Sequence, residues 1–207
     1  MLQLMNIKKF YNVHPVLQIS SLQLEKGVYW VRGANGSGKT TLLKMIAGLL
    51  PFEGDISFNT ISLKARPLDY RRTVSWAEAE PLFPEFMSGM DLLLLYRNIR
   101  KISKDEIDRL VEFFNLSGYV NNAIGTYSEG MRKKLSLALA FTGNTPLIVL
   151  DEPFITLDPD AIASVCDIVL DRHKNNGTTF LMSSHQDLDK QLLLIGKELT
   201  VDNQTVS

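Results

Sequence analysis

The stretch VYWVRGANGSGKTTLLKMIAGLL at residues 28–50 decides the fold of this chain. It opens with a compact apolar run typical of a buried strand, passes through a glycine-rich loop and continues with apolar residues at helical spacing. Gly33 and Gly38, followed by Lys39 and Thr40, satisfy the phosphate-binding loop (P-loop) pattern in the strand-to-helix context that it requires. Glycine permits backbone angles that point N–H groups at phosphate oxygens, and the start of a helix adds a favourable dipole. The stretch therefore predicts a site for the phosphates of a nucleotide.

Two side chains of this loop have expected roles of their own. We expect Lys39 to reach the β- and γ-phosphates of ATP, and we count it among the catalytic residues because it is the cation that faces them. Thr40 would turn its hydroxyl toward Mg²⁺. The predicted nucleotide-binding residues of the loop are Gly33, Asn35, Gly36, Ser37, Gly38, Lys39, Thr40 and Thr41. ATP and Mg²⁺ are the expected cofactors.

A second stretch, LIVLDEP at residues 147–153, brings two carboxylates to the end of a buried strand. Open α/β sheets place their ligands at the carboxyl ends of strands. Asp151 would order Mg²⁺, mostly through water, and Glu152 would act as general base toward a water that attacks the γ-phosphate. His185 ends the next predicted strand, TFLMSSHQ, and could face the same phosphate. A lone histidine is more often a surface residue or a satisfied core residue.

The composition is that of an ordinary globular protein: of 207 residues, 45% are hydrophobic and 22% are charged, with a formal net charge of −1. Such a balance gives no reason to expect broad binding to nucleic acid or to an anionic membrane surface. The longest apolar stretch, at residues 42–52, is interrupted by Lys44 and Pro51 and is shorter than the ~20 residues that a membrane span needs. We therefore predict a cytoplasmic protein without a nucleic-acid partner.

The order of the elements predicts an α/β fold. Alternating apolar residues indicate short strands at 2–7 and 16–24, joined by a polar connection, and a later hairpin with Asn59-Thr60 as its turn. Helical runs dominate from about residue 81 to residue 134. We predict one domain, in which a P-loop core of about residues 1–80 and 135–207 carries an N-terminal antiparallel β-subdomain and an inserted α-helical lobe of about residues 81–134.

With these residues placed, the chain resembles the ATP-binding subunit of an ABC (ATP-binding cassette) transporter over nearly its whole length. In that family a Ser-x-Gly signature follows the helical lobe and contacts the γ-phosphate bound to the partner subunit. Here it reads YSEGM at residues 127–131, so Ser128, Glu129 and Gly130 are the expected residues acting in trans. The family's usual third and fifth signature residues, Gly and Gln, are Glu129 and Met131 in this chain. Ser128 also suits the N-cap of the following helix, and capping is compatible with anion binding.

The resemblance gives two further positions. Tyr11, ahead of the first glycine, matches the aromatic residue that stacks on adenine; it could instead be a core aromatic, and Phe10 is the competing assignment. Asp158, in the sequence Thr156-Leu157-Asp158, matches the loop that crosses the dimer interface. Because a proline follows Asp158, this residue could instead simply start a helix.

One position departs from the family. A Gln that touches Mg²⁺ usually stands at the boundary between core and helical lobe, and anchoring on Leu82-Phe83-Pro84 puts Glu78 there. A carboxylate can still bind Mg²⁺, but its charge would repel the oxygens of the γ-phosphate and could slow turnover. Glu78 could equally be a solvated loop acid.

The resemblance implies an ATPase subunit that dimerises, with an identical or a different subunit, around two ATP molecules and powers a separate membrane permease. The protein would then sit on the cytoplasmic face of the membrane through that permease, and the YSEGM variant favours an exporter. The contact surface would lie near residues 78–96, where the candidate apolar residues, each also a candidate for the core of the lobe, are Phe83, Phe86, Met87 and Met90. The alternative is a nucleotide-gated regulatory or binding module with little hydrolysis, which Glu78, Glu129 and Met131 suggest.

Overall fold

The computed structural model describes residues 1–184 and 195–207. Its strands are β1 (Leu2–Tyr11), β2 (His14–Leu24), β3 (Val28–Arg32), β4 (Glu53–Phe58), β5 (Ile61–Ser62), β6 (Val74–Ala77), β7 (Leu147–Leu150), β8 (Thr179–Ser183), β9 (Gly196–Asp202) and β10 (Thr205–Val206). Its helices are α1 (Lys39–Ile46), α2 (Pro67–Thr73), α3 (Gly89–Arg100), α4 (Lys104–Phe113), α5 (Glu129–Ala140) and α6 (Pro159–Asn176), with a 3-10 turn at Ile124–Thr126.

A six-stranded sheet of order β10-β9-β3-β8-β7-β6 forms the centre of the molecule. Strand β3 pairs in parallel with β8 and β9, and β7 pairs in parallel with β6 and β8. Parallel strands deliver whatever follows their carboxyl ends to one edge of the sheet. That edge receives the P-loop after β3, Glu78 after β6 and Asp151 after β7. The predicted α/β fold is confirmed.

Strand β3 is buried on both faces because its side chains alternate between two apolar clusters. Val28 and Trp30 pack with the helices of the lobe, whereas Tyr29 and Val31 pack with the N-terminal sheet and α1. Successive side chains of a strand point to opposite faces of the sheet. Full burial of a large apolar side chain stabilises a fold by roughly 1.5–3 kcal/mol. The P-loop therefore starts from a well-anchored strand.

The N-terminal subdomain is an antiparallel sheet of order β2-β1-β4-β5, as predicted. Its first two strands are longer than expected, and both extend into the polar stretch YNVHP (residues 11–15) that was predicted to join them. Only Asn12 and Val13 lie outside β1 and β2, because Asn12 adopts a positive φ of 54° that closes a tight turn. The turn predicted at Asn59-Thr60 is confirmed, with φ values of 47° and 69°.

The predicted helical stretch contains α3, α4 and the start of α5. Helix α5 continues to Ala140, so it crosses the boundary expected near residue 134, and the division of the domain into core and lobe stays a prediction. The seven-residue helix α2 was not anticipated because PLDYRRT is too short to show a helical period. Within residues 1–184 and 195–207, no helix combines the length and the apolar character needed to cross a membrane.

Candidate active site

The P-loop packs closely against strand β9. A Cβ atom at Gly33, where φ is +152°, would lie 2.3 Å from the carbonyl oxygen of Val201 and 2.6 Å from Ser37 Oγ. Only glycine fits there, which explains the first glycine of the motif. The Ser37 N–H donates to the carbonyl of Ala34 at 3.1 Å and thereby shapes the loop.

The other predicted nucleotide-binding residues lie along this loop and the start of α1. Asn35 and Gly36 are exposed at its tip, Gly38 caps α1, Thr40 is exposed and Thr41 is buried. The Lys39 ammonium donates to the carbonyl oxygens of Gly33 at 2.9 Å and Ala34 at 3.1 Å. It is therefore folded over its own loop, where phosphate oxygens would compete with these carbonyls for its three donors.

Asp151 joins the P-loop helix to the central sheet. Its Oδ1 accepts hydrogen bonds from the Thr40 hydroxyl at 3.2 Å and from the Ser183 hydroxyl at 2.7 Å. Strands β7 and β8 thus meet α1 at the predicted edge, and Asp151 and Thr40 lie together as the sequence implied. Ser183 was not anticipated. A polar residue at the end of the apolar run TFLMS was the signal that could have revealed it.

Glu152 adopts a backbone conformation that is uncommon for a non-glycine residue, with φ at 46°. Its N–H donates to Ser183 Oγ at 2.9 Å, and the residue is buried. Such a conformation costs on the order of 1–3 kcal/mol and persists where the surroundings enforce it, most often at functional sites. The Ser183 hydroxyl therefore holds both acidic residues of the LDE sequence: it bonds the side chain of Asp151 and the backbone N–H of Glu152.

Glu78 forms an ion pair with Lys44 on α1. Lys44 follows Thr40 by four residues, so the two side chains share one face of the helix. The pair was not predicted. Because the Lys44 ammonium compensates the charge of Glu78, the repulsion of phosphate oxygens expected from the sequence is reduced.

Lys133 is a buried cation behind the same edge of the sheet. Its ammonium donates to the carbonyl oxygens of Glu78 at 2.9 Å, Ala79 at 3.1 Å and Asp151 at 3.0 Å. Burial lowers the pKa of Lys133 to about 8, against the opposing effect of the negative charges on Asp151, Glu152 and Glu78. Sequence reasoning missed this residue because a lysine within an amphipathic helix usually indicates a solvated face.

The YSEGM segment begins α5 in the way that N-cap serines do. Ser128 Oγ accepts a hydrogen bond from the Met131 N–H at 3.2 Å, and both Ser128 and Glu129 are exposed. A Cβ atom at Gly130 would lie 2.8 Å from the carbonyl oxygen of Thr156. The absence of a side chain at this glycine lets the start of α5 touch the loop that follows Glu152. The capping interpretation holds, and it leaves the helix N-terminus open to an anion.

Asp158 is the N-cap of α6, as its alternative interpretation proposed. Its Oδ1 accepts from the Ala161 N–H at 2.8 Å, and its Oδ2 accepts from the Lys134 ammonium at 2.8 Å. These two hydrogen bonds hold the pKa of Asp158 below its usual value, that from Lys134 having the larger effect. Capping does not exclude a role at a dimer interface, which stays a prediction.

Tyr11 lies at the end of β1 with 48% of its surface exposed, and Lys9 Nζ lies 5.0 Å from the centre of its ring. The interpretation of Tyr11 as a core aromatic is therefore wrong, and stacking on a base stays a prediction. Phe10 is also exposed, so it remains the competing assignment. His185 lies outside the described residues.

The donor set at this edge suits a magnesium ion. Asp151 Oδ2 is buried and, within the described parts of the chain, has no hydrogen-bond partner. The Thr40 hydroxyl lies against the other oxygen of the same carboxylate. Over the same residues, no group of three or more His, Cys, Asp or Glu side chains forms a ready-made metal cage. Mg²⁺ is commonly held by one or two carboxylates together with substrate phosphates and water, so this arrangement fits it.

Comparisons with known proteins agree with this geometry. The family model described as "ABC transporter" matches residues 17–155. The cytochrome c biogenesis ATP-binding export protein CcmA of Reclinomonas americana is 35% identical over 202 residues, covering 89% of this chain and 90% of that protein. The lantibiotic transport ATP-binding protein SrtF of Streptococcus pyogenes is 30% identical over 187 residues, covering 89% and 80%.

Solved structures give the same result. An ATP-binding subunit of an ABC transporter shares 27% identity with a TM-score of 0.89, covering all of this chain and 88% of that one. A dimeric ATP-binding cassette bound to ADP and phosphate has the same fold at 20% identity, with a TM-score of 0.83 and coverage of 100% and 97%.

Proposed function

Since this chain belongs to the ABC transporter family, as an ATP-binding subunit and an ATPase, we propose that it closes with a second copy around two ATP molecules and powers a separate membrane permease. The observation that carries the proposal is the cluster of Thr40, Asp151, Glu152 and Ser183 beside the P-loop, at the carboxyl edge of the central sheet. The same four residues would serve both the binding of ATP and its hydrolysis.

In this proposal the P-loop and the residues of the cluster divide these tasks between them. The P-loop N–H groups and Lys39 bind the phosphates, and Thr40 and Asp151 would hold the magnesium ion that accompanies ATP. Bound magnesium supplies positive charge that neutralises the charge developing on the phosphates. Glu152, whose backbone is fixed by Ser183, accepts the proton of the attacking water. The presence of this general base argues against a regulatory module with little hydrolysis.

In the proposed dimer, the ATP bound by one copy would also be contacted by the signature segment of the other copy. Ser128 and the exposed start of α5 present a hydroxyl and a helix N-terminus, which together form an anion site. The phosphates bound by the chain's own P-loop would not need the Ser128 hydroxyl or the start of α5, because that loop already provides a complete cradle. We infer that this surface binds the γ-phosphate held by the partner's P-loop.

Ser128→Arg should therefore lower hydrolysis by at least about a hundredfold, similar to the loss of one well-placed donor to a transition state. The affinity of a single subunit for ATP should change little. Steady-state turnover, together with nucleotide titration at low protein concentration, measures the two quantities. A loss of ATP affinity in the isolated subunit equal to the loss of turnover would contradict a role in trans.

Ser103→Arg is the matched control. Ser103 caps α4 in the same way, accepting a hydrogen bond from the Glu106 N–H at 3.2 Å. Both substitutions remove an N-cap, which costs about 0.5–2 kcal/mol of stability. Only Ser128 lies in the proposed trans contact, so Ser103→Arg should retain turnover within a few-fold of the parent.

Glu78 and Lys44 give a test of the metal site. If Glu78 helps to hold magnesium, Glu78→Gln should modestly raise the Mg²⁺ concentration that gives half-maximal turnover. The maximal rate should stay the same or rise. Lys44→Met should shift the curve the opposite way, because it frees the carboxylate from its ion pair. Mg²⁺ titrations at saturating ATP measure both. If the curves of both variants superimpose on that of the parent, Glu78 does not help to hold magnesium and is a solvated loop acid.

A permease would dock near the start of the lobe. Of the apolar residues predicted there, Phe83, Met87 and Met90 pack against the core, whereas Phe86 is 86% exposed and the neighbouring Leu82 is 92% exposed. Exposed apolar side chains of this size suit a protein partner. The relatives named for export and for lantibiotic transport support the direction of export, and docking on a permease would place the subunit at the cytoplasmic face of the membrane.

A further inference from the structure

Lys133 is 1% exposed and donates hydrogen bonds to three backbone carbonyls from two separate segments of the chain. Glu78 and Ala79 follow strand β6, and Asp151 follows strand β7. An ammonium group has three donors, so these contacts use all of its capacity. Lys133 itself belongs to α5, the helix that Ser128 begins.

Burial of a charge is costly unless the charge is paired or hydrogen-bonded. No ion pair among the described residues includes Lys133, so carbonyl dipoles alone satisfy its hydrogen bonds. An apolar side chain of similar volume would fill the same space but would leave these three carbonyl oxygens without their donor, so packing alone does not account for a lysine here. An ammonium can do what an apolar side chain cannot, which is to hold three carbonyl oxygens of two loops at one point.

The three carbonyls belong to the part of the site that would order magnesium. Asp151 accepts from the Thr40 hydroxyl through Oδ1, and its Oδ2 has no hydrogen-bond partner among the described residues. Glu78 is held by Lys44 of the P-loop helix. Three residues before Lys133 on the same helix, Gly130 touches the backbone of Thr156. Helix α5 is thus fastened at one point to the chain's own ATP site and presents its N-terminus to the surface.

We propose that Lys133 is a positioning residue that couples the ATP site of one chain to the signature helix of the same chain, and thereby to the ATP bound by a second copy. The inference rests on the proposed dimer. When ATP and magnesium draw the ends of β6 and β7 into place, the three hydrogen bonds carry that placement to α5. Ser128 then takes the position from which it reaches the partner's γ-phosphate.

The test uses a Glu152→Gln background, in which slow hydrolysis allows ATP-driven dimers to accumulate. Light scattering against ATP concentration, at fixed protein and Mg²⁺, gives the ATP concentration for half-maximal dimerisation. Adding Lys133→Met should raise that concentration about tenfold, within the usual range of coupling between sites. The affinity of the single subunit, measured with a fluorescent ATP analogue at low protein concentration, should stay within about threefold.

Lys133→Gln is the second variant, and it tests the coupling between the two sites if Lys133→Met does not fold. Its amide offers two N–H donors and no charge, so its dimerisation curve should lie between the other two. Lys174→Met, at an exposed site near the end of α6, is the substitution control and should match the parent. A residue with only a structural role would lower the melting temperature and leave the dimerisation curve unchanged.

Three results would overturn the proposal in different ways. If the Glu152→Gln parent dimerises and the Lys133→Gln curve superimposes on it, Lys133 does not couple the sites. An equal loss of single-subunit affinity would also place the effect in the chain's own site alone. If the parent stays monomeric at saturating ATP, the proposed dimer itself is wrong and the role of Lys133 falls with it.

Discussion

Lys39→Ala should reduce ATP hydrolysis below detection and weaken ATP binding by roughly tenfold or more. The substitution removes the cation that would face the β- and γ-phosphates. The two hydrogen bonds that Lys39 donates to the carbonyls of Gly33 and Ala34 are lost as well. The loop geometry should survive because it depends on Gly33 and on the Ser37–Ala34 turn.

Turnover with Mg²⁺-ATP and equilibrium binding of nucleotide measure the two effects. Lys64→Ala, the same change at an exposed residue outside the loop, should leave both unchanged. Hydrolysis by Lys39→Ala within a few-fold of the parent would overturn the assignment of residues 33–41 as the phosphate site.

Glu152→Gln should lower turnover by roughly a hundred- to ten-thousandfold, the usual contribution of a general base. The amide keeps the shape of the carboxylate but cannot accept the proton of the attacking water. ATP binding should stay within a few-fold, because the hydrogen bond to Ser183 involves the backbone N–H of residue 152 and survives the substitution. The backbone at positive φ is therefore held as before.

Single-turnover hydrolysis and nucleotide titration measure this separation of binding from chemistry. Glu112→Gln, at an exposed position on α4, removes the same charge away from the site and should change neither. A parallel loss of binding and hydrolysis would assign Glu152 to the structure of the site and leave the general base unidentified.

The sequence predicts the parts of this site that depend on local rules. The P-loop follows from glycine spacing between a strand and a helix, and Asp151 and Glu152 follow from an apolar strand that ends in acids. Parallel strand order then brings these segments to one edge. Such features are readable because each is encoded within a short stretch.

The parts that the sequence does not reveal are contacts between distant segments. Ser183 supports Asp151 from 32 residues away, Lys44 pairs with Glu78 across 34 residues, and Lys133 reaches a carbonyl 55 residues before it. A lone serine or lysine has no local signal that distinguishes these roles from those of a strand end or a solvated helix face. Only the packing of the sheet against α1 and α5 specifies these partners.

The sequence also does not reveal which apolar residues of the lobe are exposed. In the sequence, Phe83 and Phe86 are equal candidates for a partner surface, since both are aromatic residues in an irregular segment. The structure packs Phe83 against the core and leaves Phe86 exposed. Hydrophobicity alone cannot separate the two, because the direction of a side chain in a loop depends on tertiary contacts.

The mass of the Glu152→Gln protein in solution with Mg²⁺-ATP tests the central claim most directly. If two copies close around two ATP molecules, light scattering coupled to gel filtration should give twice the mass of one 207-residue chain with ATP, and a single chain with ADP or without nucleotide. A species that keeps the mass of one chain at saturating ATP and high protein concentration would contradict the account.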